Sequence, residues 1–284
     1  MKKTALLYDP YFDTQGGGER YLIFLAKFLN QAGFQVTLAW RNPETLKSIF
    51  DRFGVNPQFI KLDAVAFDLF QKSGNLIQKR NFSSPFDVSF WISDGSIPFL
   101  FAKRNIIHYQ YPFTPRLETN PVIKFFKLSQ INHIVYNSFF TKNVLETQLP
   151  KNKGVVIYPP IDTKMFGSKK QNKSNTILSV ARFDSPSHPK RHDVLIKAFA
   201  DVYKQCPDYS LVLAGGLKGE DSSLDSLKEI INSLPIEIIA NPSIDQLVKL
   251  YSKAKIFWHA AGYDIDEAVH PESVEHFGMT TVEA

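Results

Sequence analysis

The chain has 284 residues, 44% hydrophobic and 21% charged, too apolar for a disordered chain and long enough for two domains of about 100–180 residues each. Its 33 basic and 28 acidic residues leave a net charge of +5, which suits an anionic small substrate or a loose contact with an anionic membrane surface. No dense basic-aromatic stripe supports a nucleic-acid partner, and the lone Cys206 excludes an intrachain disulfide and a cysteine metal cluster and fits a reducing compartment.

In chain order, "MKKTALLYDP" has an apolar core of only "ALLY", short of the roughly 7–15 residues of a signal peptide. It reads as a first buried strand. A loop ending in Gly16-Gly17-Gly18 follows. "ERYLIFLAKFLNQAG" then sets Leu22, Leu25, Ala26 and Leu29 at helical spacing, with Gly33 as its stop. "FQVTLAW" completes a βαβ unit, which implies parallel strands. "FDVSFWI", "NIIHY", "HIVYN" and "VVIYP" are further candidate buried strands, with "TKNVLETQL" a helix between the last two. No apolar run approaches the ~20 residues of a membrane helix.

The polar stretch "KMFGSKKQNKSN" is the best linker. After it the rhythm restarts, with strands in "TILSVARF", "YSLVLAGG", "IEIIA" and "KIFWHAA" and helices in "RHDVLIKAFADVYKQ", "SLDSLKEIINSL" and "SIDQLVKLYSKA". The division is therefore 1–165 and 166–284. In such sheets ligands sit at the carboxyl ends of the strands. The second unit has four strands and a last helix beginning near Met279 or Thr280 and stopping at Ala284, so truncation of a longer domain is expected.

Three stretches can carry chemistry. The glycine triplet lies between a strand and a helix. It is either a flexible turn or a place where Gly17 and Gly18 bring backbone close to a phosphate. Arg182 follows a strand end, and Lys190 and Arg191 precede a helix, so their cations can converge on a diphosphate; a solvated basic loop is the plainer reading. In "HPESVEHFGMTTVEA", Thr280 or Thr281 can cap the last helix. The amides of Phe277, Gly278 and Met279 then form an anion site, with Glu275 before it and Glu283 beyond it. That arrangement suits a sugar nucleotide, the sugar on Glu275 and the ribose on Glu283. Plain dipole complementation also accounts for Glu283. Asp264, Asp266 and Glu267, framed by His259 and His270, match no standard metal-ligand spacing. His108 is either a buried core histidine or a hydrogen-bonding site residue.

Taken together, "RF…PKRHDVLIKAF", "LVLAGG" and "EHFGMTTVEA" resemble the C-terminal domain of glycosyltransferase family 4. "GGGERYLIFLAKFL", "NSFFTKNVL" and "VIYPPID" resemble its N-terminal domain and hinge, and "EHFG" is similar to the form in mannosyltransferase-like members. The resemblance implies a GT-B fold, α/β with two Rossmann-like domains whose parallel sheets face a cleft, the second incomplete here. It implies retaining transfer of a hexose from a nucleotide sugar, without a metal or other cofactor. Arg182 and Lys190 would hold the diphosphate, Glu275 the donor sugar and Glu283 the ribose. Gly17 and Gly18 would lie near the phosphates and acceptor, and Pro159, Pro160 and Ile161 near the hinge.

Two features depart from the family pattern. Gln110 stands where a histidine is common, with His108 two residues earlier, so either is a candidate sugar or acceptor contact. The loop between Arg182 and Lys190, containing Pro186 and Pro189, is longer than usual, which leaves Lys190 and Arg191 as alternatives for the phosphate role. The implied donor is GDP-mannose ahead of UDP-glucose. The acceptor is a glycan or a lipid-linked sugar. The expected location is the cytoplasm, with peripheral contact at the inner membrane face. The alternatives are a non-catalytic nucleotide-sugar-binding fragment and a GT-B nucleotide-sugar epimerase.

Overall fold

The computed structural model describes residues 2–13, 17–72, 74–112, 120–167, 172–183, 189–217, 222–231 and 233–284. Gly16 and Pro186 lie outside them. The chain divides into two compact units, Met1–Pro160 and Ile161–Ala284.

The first unit runs β1 (Lys3–Tyr8), α1 (Gly17–Gln31), β2 (Phe34–Ala39), α2 (Pro43–Arg52), β3 (Ile60–Leu62), α3 (Ala64–Gln71), α4 (Leu76–Ser83) and β4 (Val88–Ile92). It continues with β5 (Arg104–Tyr109), α5 (Pro121–Gln130), β6 (His133–Tyr136), α6 (Phe139–Leu145) and β7 (Gly154–Val156). Its seven strands pair in the order β3-β2-β1-β4-β5-β6-β7, all parallel. A parallel strand is covered on both faces, which is why "ALLY" and "IIHY" read as unbroken apolar runs. Ala5, Leu6 and Leu7 are at most 1% exposed, each such Leu contributing about 1.5–3 kcal/mol.

The sequence reading passed over α2, α3, α4, α5 and β3. Their signals are local. Asn42 and Asn120 accept hydrogen bonds from the first-turn amides of helices that begin at Pro43 and Pro121, and Asp63 caps α3 through the Ala66 amide. The strand read in "VVIYP" is also shorter, since pairing ends at Val156 and Ile157 and Tyr158 are exposed.

The second unit runs α7 (Thr163–Phe166), β8 (Ser174–Val180), α8 (His192–Gln205), β9 (Ser210–Gly215), α9 (Ser222–Ile231), β10 (Ile236–Ala240), α10 (Ile244–Lys253), β11 (Ala254–Phe257) and α11 (Met279–Glu283). Its four strands are parallel in the order β10-β9-β8-β11. Side chains alternate between faces. Ile177, Leu211 and Leu213 pack with Leu195, Ile196 and Phe199 of α8. Leu178, Val180 and Val212 pack on the other side with Tyr251 of α10. Ser243 and Gln246 form a reciprocal capping box at the start of α10. α11 corrects one expectation: neither Thr280 nor Thr281 caps it, and the position before it is Gly278 in the left-handed region, with no side-chain cap.

In each sheet the strand order reverses at one place, between β1 and β4 in the first unit and between β8 and β11 in the second. Loops leaving two such strands diverge to opposite faces and open a crevice at the carboxyl ends.

Candidate functional site

The β8–β11 crevice of the second unit gathers most of the predicted donor residues. Arg182 stands two residues beyond β8, half-buried. The backbone on either side of it is pinned to the end of β9, Ala181 N donating to Ala214 O at 2.9 Å and Phe183 N to Gly216 O at 2.9 Å. His259 stands two residues beyond β11.

Glu275 is the hub of the crevice. Its Oε2 accepts from Lys190 Nζ at 3.0 Å and lies 3.2 Å from His259 Nε2. Its Oε1 accepts from the Gly278 amide at 3.1 Å. Gly278 has φ of 74°, a conformation that glycine takes at no steric cost. This turn carries the chain into α11 and aims the Glu275 carboxylate back at Lys190. The Gly278 amide, one of the three of the expected anion site, is thereby bonded to Glu275.

The structure separates the two neighbouring cations. Lys190 joins Glu275. Arg191 sits at φ 53° and turns to Asp193 Oδ1, 3.2 Å from its Nε, and to the Tyr263 carbonyl, 3.0 Å from its Nη1. Glu283, on α11, is 8% exposed and its Oε2 accepts from Tyr251 Oη at 2.9 Å. Phe277 and Met279 flank Gly278 at the same turn.

Two buried histidines lie close enough to Lys190 to feel its charge. His192 stacks on Phe183 at 4.8 Å, and His276 Nε2 donates to the Pro271 carbonyl at 3.1 Å. Burial holds each down to about 4. Among the described residues, no group of three or more His, Cys, Asp or Glu side chains gathers as a metal-ligand set, the acidic stretch Asp264–Glu267 included.

In the first unit, Gly17 opens α1 as expected. A Cβ on Gly18 would lie 2.7 Å from Gln110 Oε1, so the Gln110 side chain rests against the start of α1. His108 is elsewhere. It is 0% exposed, stacks on Tyr21 at 4.2 Å, and its Nδ1–H donates to the Val135 carbonyl at 3.1 Å. Burial lowers its pKa to about 3. It fills the core, which leaves Gln110 as the side chain that reaches the glycine turn.

The sequence reading missed Asp9 and Glu19. They lie at the end of β1 and in the first turn of α1, at 3% and 1% exposure. Burial, and next the Glu19 charge, push the Asp9 carboxyl far above its ordinary range. The available signal was a carboxylate at each end of a glycine turn.

Residues 160–284 match the profile of the family described as Glycosyl transferases group 1. No curated protein sequence matches the chain. Among solved structures, the pneumococcal O-GlcNAc transferase GtfA in complex with UDP and GlcNAc superposes with TM-score 0.63 at 11% identity, covering 100% of this chain and 82% of that one. A crystal structure of TarM gives 0.61 at 10%, covering 100% and 90%. UDP-GlcNAc 2-epimerase from Neisseria meningitidis bound to UDP-GlcNAc gives 0.52 at 14%, covering 92% and 78%. The α/β architecture with parallel sheets is that of GT-B glycosyltransferases.

Proposed function

We propose that this chain is a metal-independent retaining glycosyltransferase of family 4 that moves a hexose from a nucleotide sugar to a glycan or lipid-linked acceptor. The second unit serves as the donor domain and the first as the acceptor-side domain. One observation carries the reading: Lys190 and His259 converge on Glu275 where β8 and β11 diverge, inside the segment that matches the glycosyltransferase profile.

A departing nucleoside diphosphate develops negative charge. Cations fixed beforehand at that place stabilise it most in the transition state, where binding accelerates reaction. Lys190 and Arg182 take that role. Glu275, oriented by Lys190 and the Gly278 amide, accepts hydrogen bonds from donor-sugar hydroxyls. Glu283, held by Tyr251, stands for the ribose.

The "EHFG" resemblance favours GDP-mannose, whereas the UDP complexes among the structural neighbours favour a UDP-sugar. A thermal-shift panel of nucleotide sugars decides between them, since a bound ligand raises the melting temperature by mass action. Absence of any shift, together with absence of transfer to glycan or lipid-linked acceptors, overturns the reading. The likeness to 2-epimerases favours a second reading: conversion of the donor to its epimer without acceptor would establish it.

A further inference from the structure

His259 has no place among the residues expected to bind the donor, and the fold brings it to Glu275 by a detour. The Trp258 amide donates to the Leu178 carbonyl at 2.8 Å, which ties the chain to β8 one residue before His259. Residues 259–278 then run outside the sheet. A Cβ on Gly262 would lie 2.9 Å from Val274 Cα, so the two ends of this excursion lie against each other. One residue on, the Tyr263 carbonyl accepts from Arg191 Nη1 at 3.0 Å, and Arg191 is the neighbour of Lys190. These ties fix the base of the excursion against the loop that carries Lys190. Across that base His259 and Glu275, 16 residues apart in sequence, come together.

Glu275 Oε2 lies 3.2 Å from His259 Nε2 and accepts from Lys190 Nζ at 3.0 Å. An ionised carboxylate only accepts, so the proton between the first two belongs to the imidazole: Nε2 carries hydrogen and, in the neutral ring, Nδ1 does not. His259 and Lys190 therefore bond the same oxygen, and they differ in what else acts on them. The Lys190 ammonium is the cation that the proposed function turns toward the diphosphate. As the diphosphate departs, its growing charge attracts that ammonium away from Glu275. A neutral imidazole feels no such pull, and the base of the excursion holds it in place. The two side chains are 26% and 28% exposed, so water competes only in part for their bond. We propose that His259 is a positioning residue, which keeps the Glu275 carboxylate on the donor sugar while Lys190 is drawn to the departing diphosphate. The proposal rests on the donor roles given above to Lys190 and Glu275.

Turnover of GDP-mannose and UDP-glucose by the full chain, paired with titration of GDP and UDP, tests this. A nucleoside diphosphate alone brings no sugar for Glu275 to hold. His259→Ala should therefore leave diphosphate affinity within about twofold and lower kcat on the order of tenfold, the usual effect of losing a hydrogen bond to a charged group. His259→Gln, whose side-chain amide puts an N–H where Nε2 stands, should restore most of the rate. His259→Asn, whose amide matches Nδ1 instead, should not. In a Glu275→Ala background, His259→Ala should add no further loss. Val269→Ser, on the same excursion and 64% exposed, should behave as the unaltered protein does. Equal kcat for His259→Ala and the unaltered protein overturns the proposal and leaves the glycosyltransferase reading standing. A fall in diphosphate affinity as large as the fall in kcat also overturns it, because the ring would then brace the whole crevice and not Glu275. So does a nitrogen-15 spectrum that shows Nδ1 of His259 protonated and Nε2 bare, a measurement that needs no turnover. Failure of the unaltered protein to bind either diphosphate overturns the glycosyltransferase reading and this proposal together.

Discussion

Lys190 and Glu275, 85 residues apart in sequence, meet at 3.0 Å between Nζ and Oε2. Their side chains are 14% and 28% exposed. Partial withdrawal from water makes such a pair stronger than a surface ion pair, and makes either partner costly to leave alone.

Lys190→Ala and Glu275→Gln should each lower kcat/KM for nucleotide-sugar turnover by on the order of a hundredfold, the usual effect of removing one preorganised charge-stabilising group. Because the two act as a unit, Lys190→Ala/Glu275→Gln should fall well short of the product of the single losses. Steady-state kinetics on the three variants, with thermal melts to show that each is folded, checks this. Strictly multiplicative losses would mean that the ion pair has no part in catalysis.

Gly278→Ala puts a side chain on a residue at φ 74°. That conformation costs an alanine about 1–2 kcal/mol. The new Cβ also comes within 3.4 Å of Glu275 Cγ. A fall of several degrees in Tm is expected, and a larger proportional loss of donor affinity, because the turn aims the Glu275 carboxylate. Thermal melts paired with nucleotide-sugar titration separate the two effects.

Asn105 is a buried polar hub at 2% exposure. Its Oδ1 accepts from Ser89 Oγ at 2.8 Å and from the Ala102 amide at 3.1 Å. Its Nδ2 donates to the Ala102 and Gln130 carbonyls at 3.0 Å each. Asn105→Ala strands these partners out of reach of water, so a loss of about 2–4 kcal/mol in unfolding free energy is expected. Urea denaturation measures it, and a shift below about 1 kcal/mol, the least that an unsatisfied buried group costs, would mean that water replaces the side chain.

Acid should unfold this protein early. Burial lowers His108 to about 3 and His192 and His276 to about 4, against an ordinary value of about 6.5. The unfolded chain therefore binds more protons from about 6.5 down to about 4 for His192 and His276, and down to about 3 for His108. The stabilisation from keeping these rings neutral is complete above that window and is lost as pH falls through it. Asp9 acts in the opposite sense: its native pKa is raised, so its cost grows as pH rises above about 4. Asp9→Asn keeps an acceptor for the Tyr11 amide, now 2.9 Å from Asp9 Oδ1. The variant should be more stable than the parent at pH 7 and similar to it near pH 4, so its melting temperature should fall more steeply on acidification.

Long, unbroken apolar runs made β1, β2, β8 and β9 legible in the sequence, because parallel strands are covered on both faces. The strand-helix alternation was equally plain for α1, α8 and α10. Helix α5 escaped because Phe125 and Phe126 face outward, so that Leu128 is left to mark its core-facing side. α2 and α3 are short and are announced only by their caps. At the candidate site, sequence order pointed to Lys190, Glu275 and Gly278, which hydrogen bonds join in the structure. It could not divide Lys190 from Arg191, since that depends on Arg191 adopting φ 53° and turning toward Tyr263. It also left His108 and Gln110 as equals. Burial separates them: one ring is sealed between Tyr21 and Phe90 and the other side chain rests on Gly18.

The pairing of β8 with β11 has a consequence for biosynthesis. These neighbours in the sheet are the first and last strands of their unit, so the crevice cannot close while a ribosome is still making the intervening helices. At roughly 5–20 residues per second, β8 waits on the order of ten seconds for its partner. During that interval Leu178 and Val180 present an unpaired strand edge to the cell, and a nascent chain of this kind is a natural client for chaperones that shield such edges.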